Sequence, residues 1–558
     1  MSSTSHTVYS AEAQSTPTQR KKAATLPTTS HKRVVSDSRS LRPINSRLST
    51  RPTLSNLRRA LTLQMEPSKP IGKPPGFWKG LQAVVTASWL NILLIFIPVS
   101  WALHFAPMKG VSESTHDTIV FVFAFLAIIP LAKLLAFATD ELSMRVGQTL
   151  AGLMNATLGN AVELIVAIIA LVKCELQVVQ SSLVGSILSN LLLVLGMCFF
   201  AGGTRFSEQG FGVSAVQLNS SLLTVAVIAV LLPAAFHFVA GSVIADDTEG
   251  KEILSLSHGA AIILLWIYGS YLVFQLFSHT SLYAEGDDNE DIIKSKRYAV
   301  KPKKEGSPTT ETSSQKFLNK LGFSHAQNKP EDVPLTDASV CASPKLIGSP
   351  EMVSPSGSAS NLNLNRDVEA QDDTESKAEE EGEEQPQMSV LLTLVVLVVV
   401  TVLVAVTAEF LVDSINGMVA AGGISKEFVG MILLPIVGNA AEHVTAVTVS
   451  VKDKLTLSLG VAVGSSIQIA LFVIPFIVTL GWIIDKPLTL LFDPFESIVL
   501  FLSVMVVNYT VQDGKSNWLE GMILMCLYII LAVVFWYYPG LPIVLGTQCS
   551  VSVIPPYN

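Results

Sequence analysis

Long apolar segments alternate with short polar ones over most of the chain. About eleven of these segments hold roughly 20 mostly apolar residues, enough for an α-helix to cross the hydrocarbon core of a bilayer. The pattern predicts an all-α polytopic membrane protein with about eleven transmembrane helices. The segments lie near residues 81–105, 117–139, 147–173, 176–201, 214–240, 254–278, 388–412, 426–451, 455–483, 493–511 and 518–546.

Composition supports this class and separates the apolar regions from two polar ones. Of 558 residues, 49% are hydrophobic and 15% are charged, fewer charged residues than soluble proteins carry. Residues 1–76 hold thirteen Lys and Arg against three acidic residues and show no early apolar core, so we expect a disordered cytoplasmic tail and no secretory signal. Residues 280–387 are rich in Ser, Pro and charge and end in an acidic run at 372–384, which predicts a disordered cytoplasmic insert.

One short motif occurs twice inside apolar segments. Gly159-Asn160-Ala161-Val162-Glu163 is matched by Gly438-Asn439-Ala440-Ala441-Glu442, and the same alignment pairs Gly185-Ser186 with Gly464-Ser465. The glutamates, the Gly-Asn-Ala runs and the Gly-Ser pairs match at one offset, which indicates an internal repeat. Because a carboxylate in hydrocarbon costs ~2.5–3.5 kcal/mol on insertion scales, the two glutamates are the best candidates for a working site.

The repeat also predicts a topology. A first span in residues 77–110 precedes five spans in 111–279, and five more follow in 388–546. Because five is odd, the second copy enters the membrane from the opposite side, as in transporters built from inverted repeats. The tail at 547–558 is then lumenal, and the two glutamates face one another near the midplane.

The chemistry of the motifs predicts a site for a hard divalent cation. Two carboxylates among amide, hydroxyl and backbone oxygens suit Ca²⁺, and Mn²⁺ also fits. Protons compete for the same carboxylates, because a low dielectric disfavours their ionised form and an adjacent cation favours it. The predicted metal ligands are Glu163 and Glu442, and the cation and proton site also contains Asn160, Asn439, Gly159 and Gly438.

Further polar residues flank this site or mark a route to it. The flanking set is His443, Ser186, Ser189, Ser465 and Gln468, and the access pathway is assigned to Glu141 and Glu409. The serines also suit simple helix packing. His443 orients a carboxylate, handles protons or is a packed polar side chain. For Glu141 and Glu409, the alternative to an access pathway is simple solvation at the membrane interface.

The motifs carry a specific resemblance. The stretches 155–165 and 438–447 resemble the two signature repeats of the calcium/proton exchanger family, in the cation/calcium exchanger superfamily, and the likeness covers about 81–546. It implies eleven spans, alternating access and export of cytosolic Ca²⁺ into an acidic vacuole in exchange for protons. It also implies that Glu163 and Glu442 are the central carboxylates, that Asn160 and Asn439 are their partners, and that the run at 372–384 corresponds to the family's acidic helix. The long tail and insert resemble those of fungal members.

Three alternatives remain at this point. The runner-up is a Na⁺-coupled Ca²⁺ exchanger; a cation channel fits two antiparallel glutamates less well. An intramembrane enzyme lacks a nucleophile and base at membrane depth, so we expect no enzyme. We predict no cofactor and no nucleic acid, expect the lipid bilayer, Ca²⁺ and H⁺ as partners, and make no prediction of protein partners. The five cysteines show neither metal spacing nor a disulfide framework and receive no role.

Overall fold

A computed structural model describes residues 71–106, 110–240, 246–283, 293–298, 385–540 and 549. Seven helices there are long and apolar enough to cross a membrane, three bent helix pairs pass the same test, and one apolar helix is shorter. The helices are α1 Phe77–Thr86, α2 Trp89–Phe105, α3 Glu113–Ser143, α4 Gln148–Leu158, α5 Ala161–Val172, α6 Leu176–Gly203, α7 Val213–Ala240, α8 Asp246–Val273, α9 Val390–Ala420, α10 Lys426–Gly438, α11 Ala440–Val451, α12 Leu455–Ile483, α13 Pro494–Thr510 and α14 Trp518–Tyr537. The all-α polytopic fold is confirmed.

Polar residues outside the apolar segments define where several helices begin. The hydroxyls of Ser112 and Ser389 accept hydrogen bonds from backbone N–H groups in the first turns of α3 and α9. Asp493 and Asn517 do the same for α13 and α14. These N-caps satisfy donors that the helix itself leaves unpaired, so each of these four helices starts at a polar residue.

The two motifs lie at breaks within membrane spans. The axis turns by 45° between α4 and α5 and by 58° between α10 and α11. Asn160 and Asn439 stand at these breaks with non-helical backbone angles (φ −100°, ψ 26° and φ −81°, ψ 0°). Helices α5 and α11, and likewise α6 and α12, begin at the offset that aligns Glu163 with Glu442. The inverted repeat and the count of eleven spans stay predictions.

Helices α3 and α9 pack against one another along their lengths, and α14 packs against the last part of α6. These contacts surround the two motif spans with apolar side chains. The buried core is continuous through the spans and includes Leu131, Leu188 and Leu471. It holds the breaks at Asn160 and Asn439 inside the protein, where backbone groups freed from the helix have protein partners instead of lipid.

A small antiparallel sheet closes one side of the molecule. Strand β1, Phe206–Gly210, lies between β2, Lys296–Arg297, and β3, Lys515–Ser516. It joins the connection after α6, the start of the insert and the connection before α14. We call this side, with the carboxyl ends of α3 and α8, the sheet face.

A disulfide marks the opposite side. Cys174, in the turn between α5 and α6, is bonded to Cys549. The expectation that no cysteine has a structural role was therefore wrong: a pair 375 residues apart leaves no recognisable spacing in the sequence. This side, with the first turns of α10 and α13, is called the disulfide face.

Other boundaries differ from the sequence-based ones in detail. The last span ends at Tyr537, and residues 538–540 are not helical, because Pro539 and Gly540 do not continue a helix. The basic tail before residue 71, the acidic run at 372–384 and most of the insert lie outside the described residues. The domain division therefore stays a prediction.

Candidate cation site

The breaks place both motif carboxylates in the first turn of a half-helix. Glu163 is the third residue of α5 and Glu442 is the third residue of α11. The N-terminus of a helix carries unpaired N–H groups and a partial positive charge, which stabilises a carboxylate there. The helix N-terminus thus partly compensates the negative charge of each glutamate at a depth where little water is present to solvate it.

Glu163 rests directly against the other motif. Its side chain is 8% exposed, and a Cβ atom added to Gly438 would lie 2.5 Å from its Oε1 atom. No residue with a side chain fits at 438 unless the carboxylate moves. Glycine in the second motif therefore makes room for the glutamate of the first.

The two motif asparagines bind crosswise, each to the span that follows the other motif. Asn160 donates to Gln468 Oε1 at 2.6 Å and accepts from the Ser465 hydroxyl at 2.8 Å, both on α12. Asn439 donates to the backbone carbonyl of Ser186, on α6, at 3.3 Å. The motifs are thereby held face to face through predicted residues from both halves.

A further polar residue of α6 completes this network. Asn190 donates to the Ser465 hydroxyl at 3.0 Å and lies beside Glu442. The repeat alignment pairs Asn190 with Ile469, so its position has no polar counterpart in the second half. An amide inside an apolar span is a candidate oxygen ligand on sequence grounds alone.

Several oxygens at the site are buried without a hydrogen-bond donor among the described residues. They are Glu163 Oε2, Glu442 Oε2, Asn190 Oδ1 and Asn439 Oδ1. Buried polar atoms are paired in nearly all native structures, so a group of acceptors without donors is a place where a cation, a proton or a water molecule can bind. Among the described residues, no three His, Cys, Asp or Glu side chains are grouped to hold a metal ion. The candidate cation ligands are therefore the two glutamate carboxylates, supplemented by the amide oxygens.

The two glutamates border different cavities. Glu442 lines a cavity of about 330 Å³ that extends to Asp140 and Gln275, at the carboxyl ends of α3 and α8 on the sheet face. Gly159, Ser465 and Gln468 also line it. Glu163 and Ser186 border a space of about 20 Å³, which holds about one water molecule. The site is therefore open toward the sheet face through Glu442.

Residues 116–277 and 392–537 match the family model described as sodium/calcium exchanger protein. The chain belongs to the sodium/calcium exchanger family. Similar proteins include the vacuolar calcium ion transporter of Cryptococcus neoformans, 51% identical over 516 residues that span 90% of this chain and 82% of that protein. The Ca²⁺/H⁺ antiporter of Aphanothece halophytica is 37% identical over 451 residues, 81% of this chain and 96% of that protein.

Structural comparison agrees with this assignment. The solved structure of native YfkE aligns with a TM-score of 0.54 and 26% sequence identity, over 80% of this chain and 100% of that one. A selenium-substituted form, described as a Ca²⁺/H⁺ antiporter protein, aligns with a TM-score of 0.53 at 25% identity. The predicted resemblance to the calcium/proton exchangers is confirmed.

The remaining flanking residues of this exchanger lie around the site without a direct bond to its carboxylates. Ser189 is fully buried beside Tyr528 of α14. His443 follows Glu442, and its Nε2 atom has no partner among the described residues. The Ser189 hydroxyl likewise has no partner among the described residues, so the roles of Ser189 and His443 at the site both stay predictions.

The exchanger uses Glu141 in a way that the sequence did not indicate. Its carboxylate is 1% exposed, accepts from the backbone N–H groups of Gln387 and Met388, and pairs with Arg145 at 3.3 Å. Glu141 thus anchors the segment that leads from the insert into α9. Its neighbour Asp140, and not Glu141, lines the large cavity.

Glu409 lies toward the disulfide face. Its side chain is 52% exposed and pairs at 3.3 Å with Lys173, which also pairs with Asp413. This pair stands where α9 meets the turn between α5 and α6. Glu409 borders neither cavity described above, so its place in an access pathway stays a prediction.

Proposed function

We propose that this exchanger is a Ca²⁺/H⁺ antiporter in which Ca²⁺ and protons compete for Glu163 and Glu442. The observation that carries the proposal is the group of unpartnered oxygens from both motifs, next to a cavity that opens toward one face. Amide and carboxylate oxygens are the ligands that Ca²⁺ prefers. The names of the relatives, vacuolar calcium ion transporter and Ca²⁺/H⁺ antiporter, support the same ions.

The competition follows from the surroundings of the two carboxylates. Low dielectric favours their protonated forms when the site is empty, and a divalent cation beside them favours ionisation. Because the charges of Glu163 and Glu442 also repel one another, a site without Ca²⁺ retains protons. Binding of Ca²⁺ then releases protons, and movement of one motif span relative to the other exposes the site to the opposite face.

The orientation follows from chemistry at the two faces. Disulfides persist in oxidising compartments, and the basic tail favours a cytoplasmic N-terminus. We therefore assign the disulfide face to the lumen of an acidic vacuole, and the sheet face, with the insert, to the cytoplasm. In this orientation the large cavity admits Ca²⁺ from the cytoplasm.

The deciding experiment measures Ca²⁺ uptake by proteoliposomes under an imposed pH gradient, with and without a Na⁺ gradient. Glu163→Gln and Glu442→Gln are each compared with Glu113→Gln, which changes an exposed glutamate in the first turn of α3. We expect uptake that requires the pH gradient, ignores Na⁺ and is lost in the two motif variants only. Uptake driven by Na⁺ indicates the sodium-coupled alternative, and substantial proton-driven uptake by either motif variant rules out the two-carboxylate scheme.

Competition assays extend this experiment to the finer assignments. Inhibition of Ca²⁺ uptake by Mn²⁺ tests whether the oxygen set accepts both ions. A pH profile of His443→Gln tests the proton role of the imidazole, since glutamine keeps polarity but does not titrate near neutral pH. An unchanged profile assigns His443 to packing.

A further inference from the structure

A second group of acidic side chains is buried at the disulfide face, away from the cation site. Glu427, in the first turn of α10, is 1% exposed; Glu496, in the first turn of α13, is 2% exposed; and Asp493, the N-cap of α13, is 8% exposed. The charges of these three residues act on one another. We call them the carboxylate pocket.

Two of the three carboxylates have hydrogen-bond donors. Gln177 of α6 donates to Glu427 Oε1, and the Tyr538 hydroxyl lies 2.9 Å from both Asp493 oxygens. Asp493 also accepts from the N–H groups of Phe495 and Glu496. Asp493 therefore has more donors than either glutamate of the pocket.

Glu496 differs from its neighbours. Its carboxylate accepts no hydrogen bond from a described residue, although it is almost fully buried next to two other acids. An ionised carboxylate without donors in such surroundings costs several kcal/mol, so the group is expected to keep its proton. The same argument applies in weaker form to Glu427, which has one amide donor.

Two lysines at the disulfide face pair with acids outside the pocket. Lys426, next to Glu427, pairs with Glu175 at 3.0 Å. Lys173 pairs with Glu409 and Asp413. Among the described residues no three acidic side chains are arranged to hold a metal ion, so the geometry favours protons over a second cation.

The carboxylate pocket lies at the start of the helix that leads to the second motif. Glu427 is in the first turn of α10, which ends at Gly438 and packs against α6 and α14. Gly540, just after α14, has φ +77° and lies against Glu427, where a Cβ atom would collide with the carboxylate. Charge on all three acids would push α10 away from α13 and from the end of α14.

We propose that Glu427, Asp493 and Glu496 form a second proton-binding site at the disulfide face, in which bound protons remove the repulsion between Glu427 on α10 and the two acids at the start of α13. The site does not depend on Ca²⁺/H⁺ exchange at Glu163 and Glu442, so it is tested without transport.

The test uses the full-length chain in lipid nanodiscs, with Glu163→Gln and Glu442→Gln both present so that the motif carboxyls contribute no signal. Infrared difference spectra record the C=O stretch of protonated carboxyl groups near pH 7. We expect a band that Glu496→Gln diminishes by about one carboxyl group and that Glu252→Gln, a change at an exposed glutamate in α8, leaves unchanged. Glu427→Gln provides a second variant if Glu496→Gln fails to fold.

Other outcomes overturn the proposal. No protonated carboxyl band at pH 7, or a band unchanged by Glu496→Gln and Glu427→Gln, shows that the pocket holds no proton. A band that disappears when Ca²⁺ is added shows that the pocket binds the cation instead. Thermal unfolding gives an independent check: the melting temperature falls as pH rises from about 5 to 8, less steeply in Glu496→Gln, because the folded chain holds a proton that the unfolded chain releases.

Discussion

Glu163 and Glu442 occupy the same position in two equivalent half-helices but have different surroundings. Glu163 lies against Gly438 beside a space for about one water molecule, whereas Glu442 borders a cavity of about 330 Å³. The local sequence is nearly the same, so the difference arises from how the two spans are packed. Under the proposed alternating access and topology, this is the arrangement in which Glu442 meets the cytoplasmic solution first.

The difference between the two glutamates is tested most directly by measuring how easily a reagent in solution reaches each of them. Asn155 lines the large cavity and Ser182 lines the space beside Glu163, so Asn155→Cys and Ser182→Cys place a thiol on each side. With Cys341 and Cys526 replaced by serine, we expect a hydrophilic thiol reagent to modify Asn155→Cys readily and to leave Ser182→Cys unmodified, because reaction requires exposure. Mass spectrometry measures both yields, and equal labelling would contradict a site open on one side only.

Contact between the motifs provides the next test. Gly438→Ala inserts a methyl group 2.5 Å from Glu163 Oε1, and overpacking of this kind costs about 1–3 kcal/mol. We expect near-complete loss of Ca²⁺ uptake with the protein still present in the membrane.

The matched control is Gly460→Ala, also at the wall of the large cavity, where an added Cβ meets nothing within 4 Å. Its uptake should stay close to that of the unmodified chain. Comparable losses in the two variants would show that Gly438 matters for helix geometry and not for the position of Glu163.

The crosswise hydrogen bonds predict a smaller, graded effect. Asn160→Ala removes the hydrogen bonds to Gln468 and Ser465, at a cost of about 1–3 kcal/mol, which weakens apparent Ca²⁺ affinity on the order of 10- to 100-fold. Asn439→Ala removes one longer hydrogen bond and also an unpartnered oxygen. The dependence of uptake on Ca²⁺ concentration gives the apparent affinity of both variants. An unchanged affinity in Asn160→Ala would show that these hydrogen bonds do not contribute to Ca²⁺ binding.

Much of the fold was predictable because bilayer spans leave a strong signal in the sequence. The starts of α6, α10 and α12 lie at the predicted segment boundaries, since polar or charged residues interrupt the apolar runs there. The strands β2 and β3 are two residues each and follow no periodic pattern, so no hydrophobicity argument could find them. The glycines before Asn160 and Asn439 lower helix stability and so favour bends there, but the bend angles depend on tertiary packing.

The sequence allowed the residues of the candidate site to be predicted better than the hydrogen-bond partners of those residues. Repetition singled out both glutamates and both asparagines, whereas the binding of Asn160 to α12 and of Asn439 to α6 arises only when the two halves interlock. Glu141 resembled a residue of the access route because it ends a span, yet its partners are backbone groups almost 250 positions away. Long-range contacts of this kind leave no local pattern.

The bond between Cys174 and Cys549 has a consequence for the integrity of the chain. The insert separates the two hydrophobic halves, but one cysteine of the pair lies before it and the other after it. A protease that cuts the insert therefore produces two fragments that remain covalently joined, and they separate on an electrophoresis gel only after reduction. Cleavage of the connection between the halves leaves both motif glutamates in one molecule.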